Sequence, residues 1–478
     1  MPARVVRLAT DDPELHRGFD RIRSDFDVPP GFPPEVLAAA DRAAGTPASG
    51  PRRDLRDVPF LTSDPKGSRD LDQAYFADAR GDGFRVLYAI ADVAAFVERD
   101  DPVDHEAHAR GVTVYLPDRR APLYPESINE GAASLLPEQE RPALCWTIDL
   151  DADGVATTWH LERALVRSRR AWTYAEAQTA IDDARGPEPL VLLRTIGRLR
   201  QAIERARGGV SLPLPSQELR RGRGGYLLAY DSPRPTEGWN AQISLLAGMC
   251  AASTMVDAGV GILRTLPPPD DRSLDRLHRT ATALGIAWPP EMRYADLIPT
   301  LDPEKPAHEA FLEQAAETLR GAGYAVIDGT PGPAPVHGAI AAPYAHVTAP
   351  LRRLADRYAN EVLIALFEHG TPRDDLRAAL VPLPDVMADA SRRAAGVERA
   401  VVDLAEALVL RGREGEQFRG AVVDLDRVRD HQRATVLVRE PAMIVTIDGS
   451  GVALGEEIEL RLSAVDPLAR RVQLARAV

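Results

Sequence analysis

LTSDPKGSRDLDQAYF, residues 61–76, places aspartates at 64, 70 and 72 and then, where a fourth acid would complete a dense cluster, has Gln73. A hard divalent cation such as Mg2+ takes one or two carboxylates together with water and substrate phosphate oxygens. Two such ions about 4 Å apart can hold both the attacking and the leaving oxygen of a phosphodiester cleavage. Asp64, Asp70 and Asp72 are the right ligand type. An extended 70–72 puts Asp70 and Asp72 on one face, and Gly67 and Ser68 let the loop fold back toward Asp64. Taken alone, D-x5-D-x-D is more often a solvated Asx-rich turn, so the rest of the chain has to decide.

The chain has 478 residues, room for two or three domains, and 45% hydrophobic content is ordinary for a globular protein. Its net charge of −13 argues weakly against a surface coated with phosphate-binding cations, but a narrow basic channel can exist on an acidic protein. Cys145 and Cys250 form neither a CxxC pair nor a disulfide framework, and no charged segment followed by an apolar run marks the start, so a cytoplasmic location is expected. The apolar stretch 245–263 contains Asp257 and many small residues and reads as a buried helix, with no membrane segment expected.

Helical spacing follows acidic cap-type residues at 11–25, and a second helix is predicted after the prolines of VPPGFPPEVLAAADRA. TPASGPRRD at 46–54 reads as a linker. Beyond it, a strand run over 84–93 and a helix over 172–184 suggest one large α+β or α/β domain of catalytic size. RRGRGG at 220–225 predicts a hairpin tip. After a helical stretch at about 384–411, five short β-type runs from EQFRGAVVDL to RRVQLARA match a small OB-type barrel, although an SH3-like barrel would read much the same.

SDPKGSRDLDQAYF, YAIADVAAFV, RGVTVYLPDRRAPLYPESI, ASLLPEQERPAL and HVTAPLRRLADRYANEVL occur in this order between about 60 and 400. Together they resemble the ribonuclease II (RNB) family of 3′-to-5′ exoribonucleases. With the resemblance, the chain is read as an α+β fold with four parts: a short helical segment at 1–52, read from its own spacing and helix-turn-helix-like; an RNB catalytic domain at 53–383; a connecting helix at 384–411; and an OB-type, S1-like barrel at 412–478. Family members usually begin with two cold-shock-type barrels, for which about fifty residues leave no room.

The family's acidic motif carries four aspartates, and here the fourth position is Gln73. The resemblance implies that Asp64, Asp70 and Asp72 hold Mg2+, or Mn2+ in its place. Asp72 is then most tightly tied to the chemistry, and the Gln73 amide oxygen remains a weaker ligand. Arg352 is implied to reach the scissile phosphate, with Arg353 beside it, and Ala349 stands where the family usually has Ser. Tyr115 matches a tyrosine packed on the terminal nucleotides, Tyr174 is a second stacking candidate, and Glu398 resembles a glutamate that handles RNA. The barrel lacks the usual aromatic pair, leaving Phe418 as its candidate stacker. Asp92 is matched without an assigned role, and the family's paired glutamates are replaced by Ile243 and Ser244.

The expected activity is hydrolytic, metal-dependent 3′-to-5′ degradation of single-stranded RNA to nucleoside 5′-monophosphates by a monomer. The alternative is a catalytically weak or inactive RNA-binding or regulatory protein on the same scaffold.

Overall fold

The computed structural model describes residues 6–8, 13–214, 216–222, 225–303, 305–329, 334–428, 431–438, 440–441 and 443–477. After β1 (Val6–Leu8), α1 (Pro13–Asp25) repeats Leu15, Phe19 and Ile22 on one face, and all three are buried. α2 (Pro34–Ala44) starts on proline, whose missing N–H is no loss in a first turn. The linker read over 46–54 ends inside a strand, because Arg53 and Asp54 already sit in register with Ala164 and Leu165.

That strand is β2 (Arg53–Asp64), followed by β3 (Gln73–Arg80) and β4 (Gly83–Ala91). α3 (Pro102–Arg110) and the short pair β5 (Val114–Tyr115) and β6 (Arg120–Ala121) come next. β7 (Glu140–Leu150) and β8 (Ala156–Thr173) then complete a closed barrel in the order β2-β3-β4-β7-β8. Its ladders are antiparallel except the closing one, β2 on β8, which is parallel. Phe60, Val86, Ile90, Trp146 and Ile148 are fully buried in the core this closure creates. Closing the sheet leaves no edge strand to protect.

α4 (Tyr174–Asp182) starts at a capping box in which Thr173 and Glu176 satisfy each other's backbone N–H. α5 (Glu188–Arg207) leads to the hairpin β9 (Ser216–Gly222) and β10 (Gly225–Asp231), as RRGRGG predicts, with the tip at 223–224 outside the described residues. α6 (Pro235–Ala258) carries only part of the apolar run 245–263. Gly259, at φ 67°, ends it in the left-handed region that glycine tolerates. The remainder becomes β11 (Val260–Thr265). α6 is long and apolar enough to cross a membrane by composition, but Ile243, Leu246, Ala247, Ala251 and Met255 lie in the main core.

α7 (Asp271–Ala283), α8 (Tyr294–Leu297) and α9 (Pro306–Ala316) share a core around Leu277, Leu297 and Phe311 before β12 (Gly323–Asp328) pairs with β11. α10 (Leu354–His369), α11 (Asp374–Leu380) and α12 (Leu383–Leu410) follow. The last unit is β13 (Gln417–Val428), β14 (His431–Val438), β15 (Met443–Asp448), β16 (Glu457–Asp466) and β17 (Arg471–Arg476). Its order β15-β14-β13-β16-β17 is antiparallel throughout and curls into a nearly closed barrel. The barrel docks on α7, where the Thr280 hydroxyl donates to the Val423 carbonyl at 3.1 Å.

α10 is fixed from α3 by a buried ion pair. Arg357 and Asp104 have side chains 1% and 2% exposed, and Arg357 Nη1 donates to Asp104 Oδ1 at 2.6 Å. The Tyr358 hydroxyl and the Asp100 N–H also donate to this carboxylate. Burial pushes the Asp104 carboxyl up, but bonds from His108 and Arg357 outweigh it and hold the group below its ordinary range. Its stabilisation is therefore present above the unfolded carboxyl value and fades as pH falls below about 4. Asp104→Ala should cost about 1.5–3 kcal/mol, because it removes charge-assisted bonds from a buried guanidinium that keeps Glu361 at 3.0 Å. Thermal melts from pH 3 to 8 should show this deficit shrinking toward the acid end; a constant deficit would count against an electrostatic origin.

Candidate active site

The acidic stretch forms the connection between adjacent barrel strands: Asp64 ends β2 and Gln73 opens β3. Gly67, at φ 87°, lets the chain reverse, and the Ser68 N–H donates to the Pro65 carbonyl at 3.2 Å. Residues 68–72 are irregular rather than a strand. Ser134 clamps them: its hydroxyl donates to the Arg69 carbonyl at 2.6 Å and accepts from the Leu71 N–H at 2.9 Å. The Leu135 N–H donates to the Leu71 carbonyl at 3.0 Å.

A turn from the far end of the domain, residues 347–353, closes over this loop. The Leu351 N–H donates to Asp72 Oδ1 at 2.8 Å, and Arg352 Nε stands 3.4 Å from Asp72 Oδ2. The Arg352 side chain is 45% exposed, so its guanidinium remains open to an anion while Asp72 holds its base. The two arginines point differently. Arg353 donates through Nε and Nη2 to Asp356, both at 2.8 Å, and Asp356 also accepts from the Ala349 N–H at 2.7 Å. Arg353, expected to contact RNA, is therefore corrected to a brace of the turn, since a fork engaged by a fully buried carboxylate has little left to offer a phosphate.

Burial raises Asp64 to about 6 and Asp72 to about 8, with Asp70 adding repulsion and Arg352 opposing it in both. Asp70 is turned to Arg120 Nη1 and receives the Tyr115 hydroxyl at 3.2 Å. Among the described residues, no three His, Cys, Asp or Glu side chains stand close enough to hold a metal between them. Asp64 and Asp72 are nonetheless of the ligand type Mg2+ takes, one or two carboxylates with water and substrate oxygens filling the other positions, and both feel Asp70 and Arg352. The Gln73 amide nitrogen donates to the Thr348 carbonyl.

Tyr115 is 46% exposed and its hydroxyl is held at Asp70. Tyr174 opens α4 and accepts from Asn240 Nδ2 at 3.4 Å; Asp64 and Arg352 are both close enough to perturb its hydroxyl. Asp64, Asp70, Asp72, Tyr115, Tyr174 and Arg352 thus share one site. Glu398 is half-buried on α12, next to the core residue Val397. Phe418 is a correction: it is 5% exposed in the core of the C-terminal barrel, with Arg413 4.9 Å above its ring, because strand alternation turns it inward. Asp92 is buried against Arg52 at 2.8 Å and Arg163 at 3.3 Å, and Ser244 meets the Tyr88 hydroxyl at 2.8 Å.

Arg120, Ser134, Thr348 and Asp356 are site residues that sequence reasoning missed. Arg120 lies inside VYLPDRRAPLYP, where a second cation three residues past the proline was the available signal. Ser134 and Thr348 act through backbone contacts, for which residue type gives no sign, and Asp356 adds a side-chain bond to Arg353 three residues before it.

The RNB domain model matches residues 52–369, and the RNase II-type exonuclease C-terminal S1 domain model matches 416–477. Ribonuclease R of Acidithiobacillus ferrooxidans is 37% identical over 155 residues, 32% of this chain and 35% of its own. Exosome complex exonuclease RRP44 homolog A of Arabidopsis thaliana is 29% identical over 83% of this chain and 45% of its own. Exoribonuclease 2 of Serratia proteamaculans is 27% identical over 82% and 62%. The chain therefore spans less than two thirds of the length of each of these relatives. Mycoplasma genitalium RNase R, solved with ribose-methylated single-stranded RNA, superimposes with a TM-score of 0.82 at 21% identity, over 98% of this chain and 79% of that one. Yeast Ssd1, a pseudonuclease, gives 0.70 at 15% identity over 94% and 57%. At such identities the likeness is one of fold. With the domain match running from β2 through α10, and the S1 match covering the terminal barrel, the chain belongs to the RNB family.

Proposed function

We propose that this chain is a hydrolytic 3′-to-5′ exoribonuclease that shortens single-stranded RNA to nucleoside 5′-monophosphates. The observation that carries this reading is the meeting of Asp72 with the half-exposed Arg352, 3.4 Å apart, beside the exposed Tyr115. Arg352 is placed to bind the scissile phosphate and to steady charge that grows on it. Tyr115 offers a face for the terminal base, worth about 1–3 kcal/mol without sequence preference. Asp64 and Asp72 would hold the divalent cation, which supplies a Lewis acid to the phosphoryl oxygens when bound. A second reading, an RNA-binding protein that cuts weakly or not at all, is favoured by Gln73 in the acidic motif.

Incubating uniformly labelled single-stranded RNA with Mg2+ or Mn2+, with and without EDTA, separates the two. Release of 5′-monophosphates that EDTA abolishes is expected; binding without shortening in both metals would favour the second reading. Arg352→Ala should lower the single-turnover rate by about a hundredfold or more, as removal of one oxyanion donor does. Tyr115→Ala should lengthen the final product with a smaller effect on rate, read on a denaturing gel.

The acid pair makes a prediction independent of cleavage. Asp72 sits near 8 when folded, far above an unfolded aspartate, so its stability contribution is complete below about pH 4 and is lost as pH rises toward 8. Without divalent ions, Asp72→Asn should melt increasingly above the parent protein across that window, by up to a few kcal/mol near pH 8. Mg2+ or Mn2+ should raise the melting temperature of the parent and not of the variant. A pH-independent difference, unmoved by cations, would sink this account of the pair.

A further inference from the structure

Four side chains pin the turn that carries Arg352. Asn360 Nδ2 donates to the Val347 carbonyl at 3.0 Å, Asp356 takes the Ala349 N–H at 2.7 Å, Asp72 takes the Leu351 N–H at 2.8 Å, and Gln73 donates to the Thr348 carbonyl. Asn360 and Asp356 belong to α10, the helix that continues from the turn, so they shape it internally. Asp72 and Gln73 reach it from the barrel at residues 348–351, while the segment ahead of β5 holds its far end, the Thr113 N–H donating to the Arg352 carbonyl at 3.0 Å. Of these two, only Gln73 has N–H groups to give.

That chemistry sets the orientation of the amide. Thr348 presents a carbonyl oxygen, so the nitrogen must face it; the reverse orientation, or a carboxylate at this position, would set oxygen against oxygen. The backbone of β3 fixes the other end, with Gln73 in register opposite Ile90 at the start of the ladder. A planar amide anchored at both ends is a spacer between the barrel and the turn.

We propose that Gln73 is a positioning residue: its amide N–H ties the first residue of β3 to Thr348 and so holds Arg352 over Asp72, without itself ligating the cation. The inference rests on the exoribonuclease reading only in its kinetic arm. It assigns Gln73 a task that an aspartate there could not perform, and leaves cation binding to the neighbouring acids.

The test uses the full chain and Gln73→Ala, Gln73→Asp and Gln73→Glu, the last matching the parent in length but lacking the N–H. Hydrogen exchange of peptides covering 347–353, without metal, should quicken about tenfold in all three, the effect expected for one lost hydrogen bond. Peptides from the C-terminal barrel serve as the internal control for folding and should be unchanged. Mn2+ binding to Gln73→Ala, followed by electron paramagnetic resonance, should stay within about twofold of the parent. In single-turnover cleavage at saturating metal, Gln73→Glu should lower the rate constant about tenfold and leave the RNA half-saturation unchanged. Unaltered exchange at 347–353, or Mn2+ binding weakened several-fold in Gln73→Ala, would overturn the proposal. If no chain cleaves RNA, the exchange and Mn2+ arms still decide it, whereas the exoribonuclease reading alone would fail.

Discussion

The hydrogen bond from the Leu351 N–H to Asp72 joins two points 279 residues apart and seats the arginine turn on the acidic loop. It places the base of Arg352 beside one carboxylate oxygen while occupying the other. Asp72 is 4% exposed, and a lone carboxylate in such a place would lose several kcal/mol of hydration. One backbone donor and one guanidinium offset only part of that, which is why the group sits near 8. The unmet remainder is what a cation bound there would relieve.

Holding a charged loop in so unfavourable a state requires a rigid frame. β2 and β3 meet in register only at Leu61 and Tyr75, so the loop between them draws little order from their own ladder. Rigidity comes instead from closure of β2 on β8, from the pairing of β3 with β4, and from Ser134 bonding both sides of Leu71. The turn is fixed separately through α10 and its buried tie to Asp104. Loop and turn are thus held by the barrel and by α10, which share one core, with Trp146 of β7 packed edge-on against Phe367 of α10.

Residue type and order were enough to read the family, the terminal barrel, the helices on either side of the domain, and the acids and arginine of the site. Those features depend on local period or on motifs that survive as strings. Phe418 was misplaced because a lone ring between the exposed Gln417 and Arg419 does not say by itself whether its face of the strand is core or binding surface. Arg353 was misplaced because neighbouring arginines look alike until Asp356, three residues on, is seen to hold one and not the other. The apolar run 245–263 misled because it is helix and strand in succession, with Gly259 as the only punctuation between them. Ser134 and Thr348 contribute through backbone partners across the fold, information carried by topology.

Gln73 shows how a site can exchange one kind of order for another. At an effective dielectric near 20, a further carboxylate about 5 Å from Asp72 would add roughly 3 kcal/mol of repulsion, beyond what Asp70 already imposes. That cost is recovered only if a cation is bound most of the time. An amide removes the repulsion and places a donor where the turn presents a carbonyl. The metal-free site is then less strained and the arginine turn better anchored, at the expense of attraction for the ion. On the proposed exoribonuclease reading, such an exchange would suit a protein that takes up its cation together with the phosphate of its RNA, since the negative charge missing from the loop would be restored by the phosphate itself.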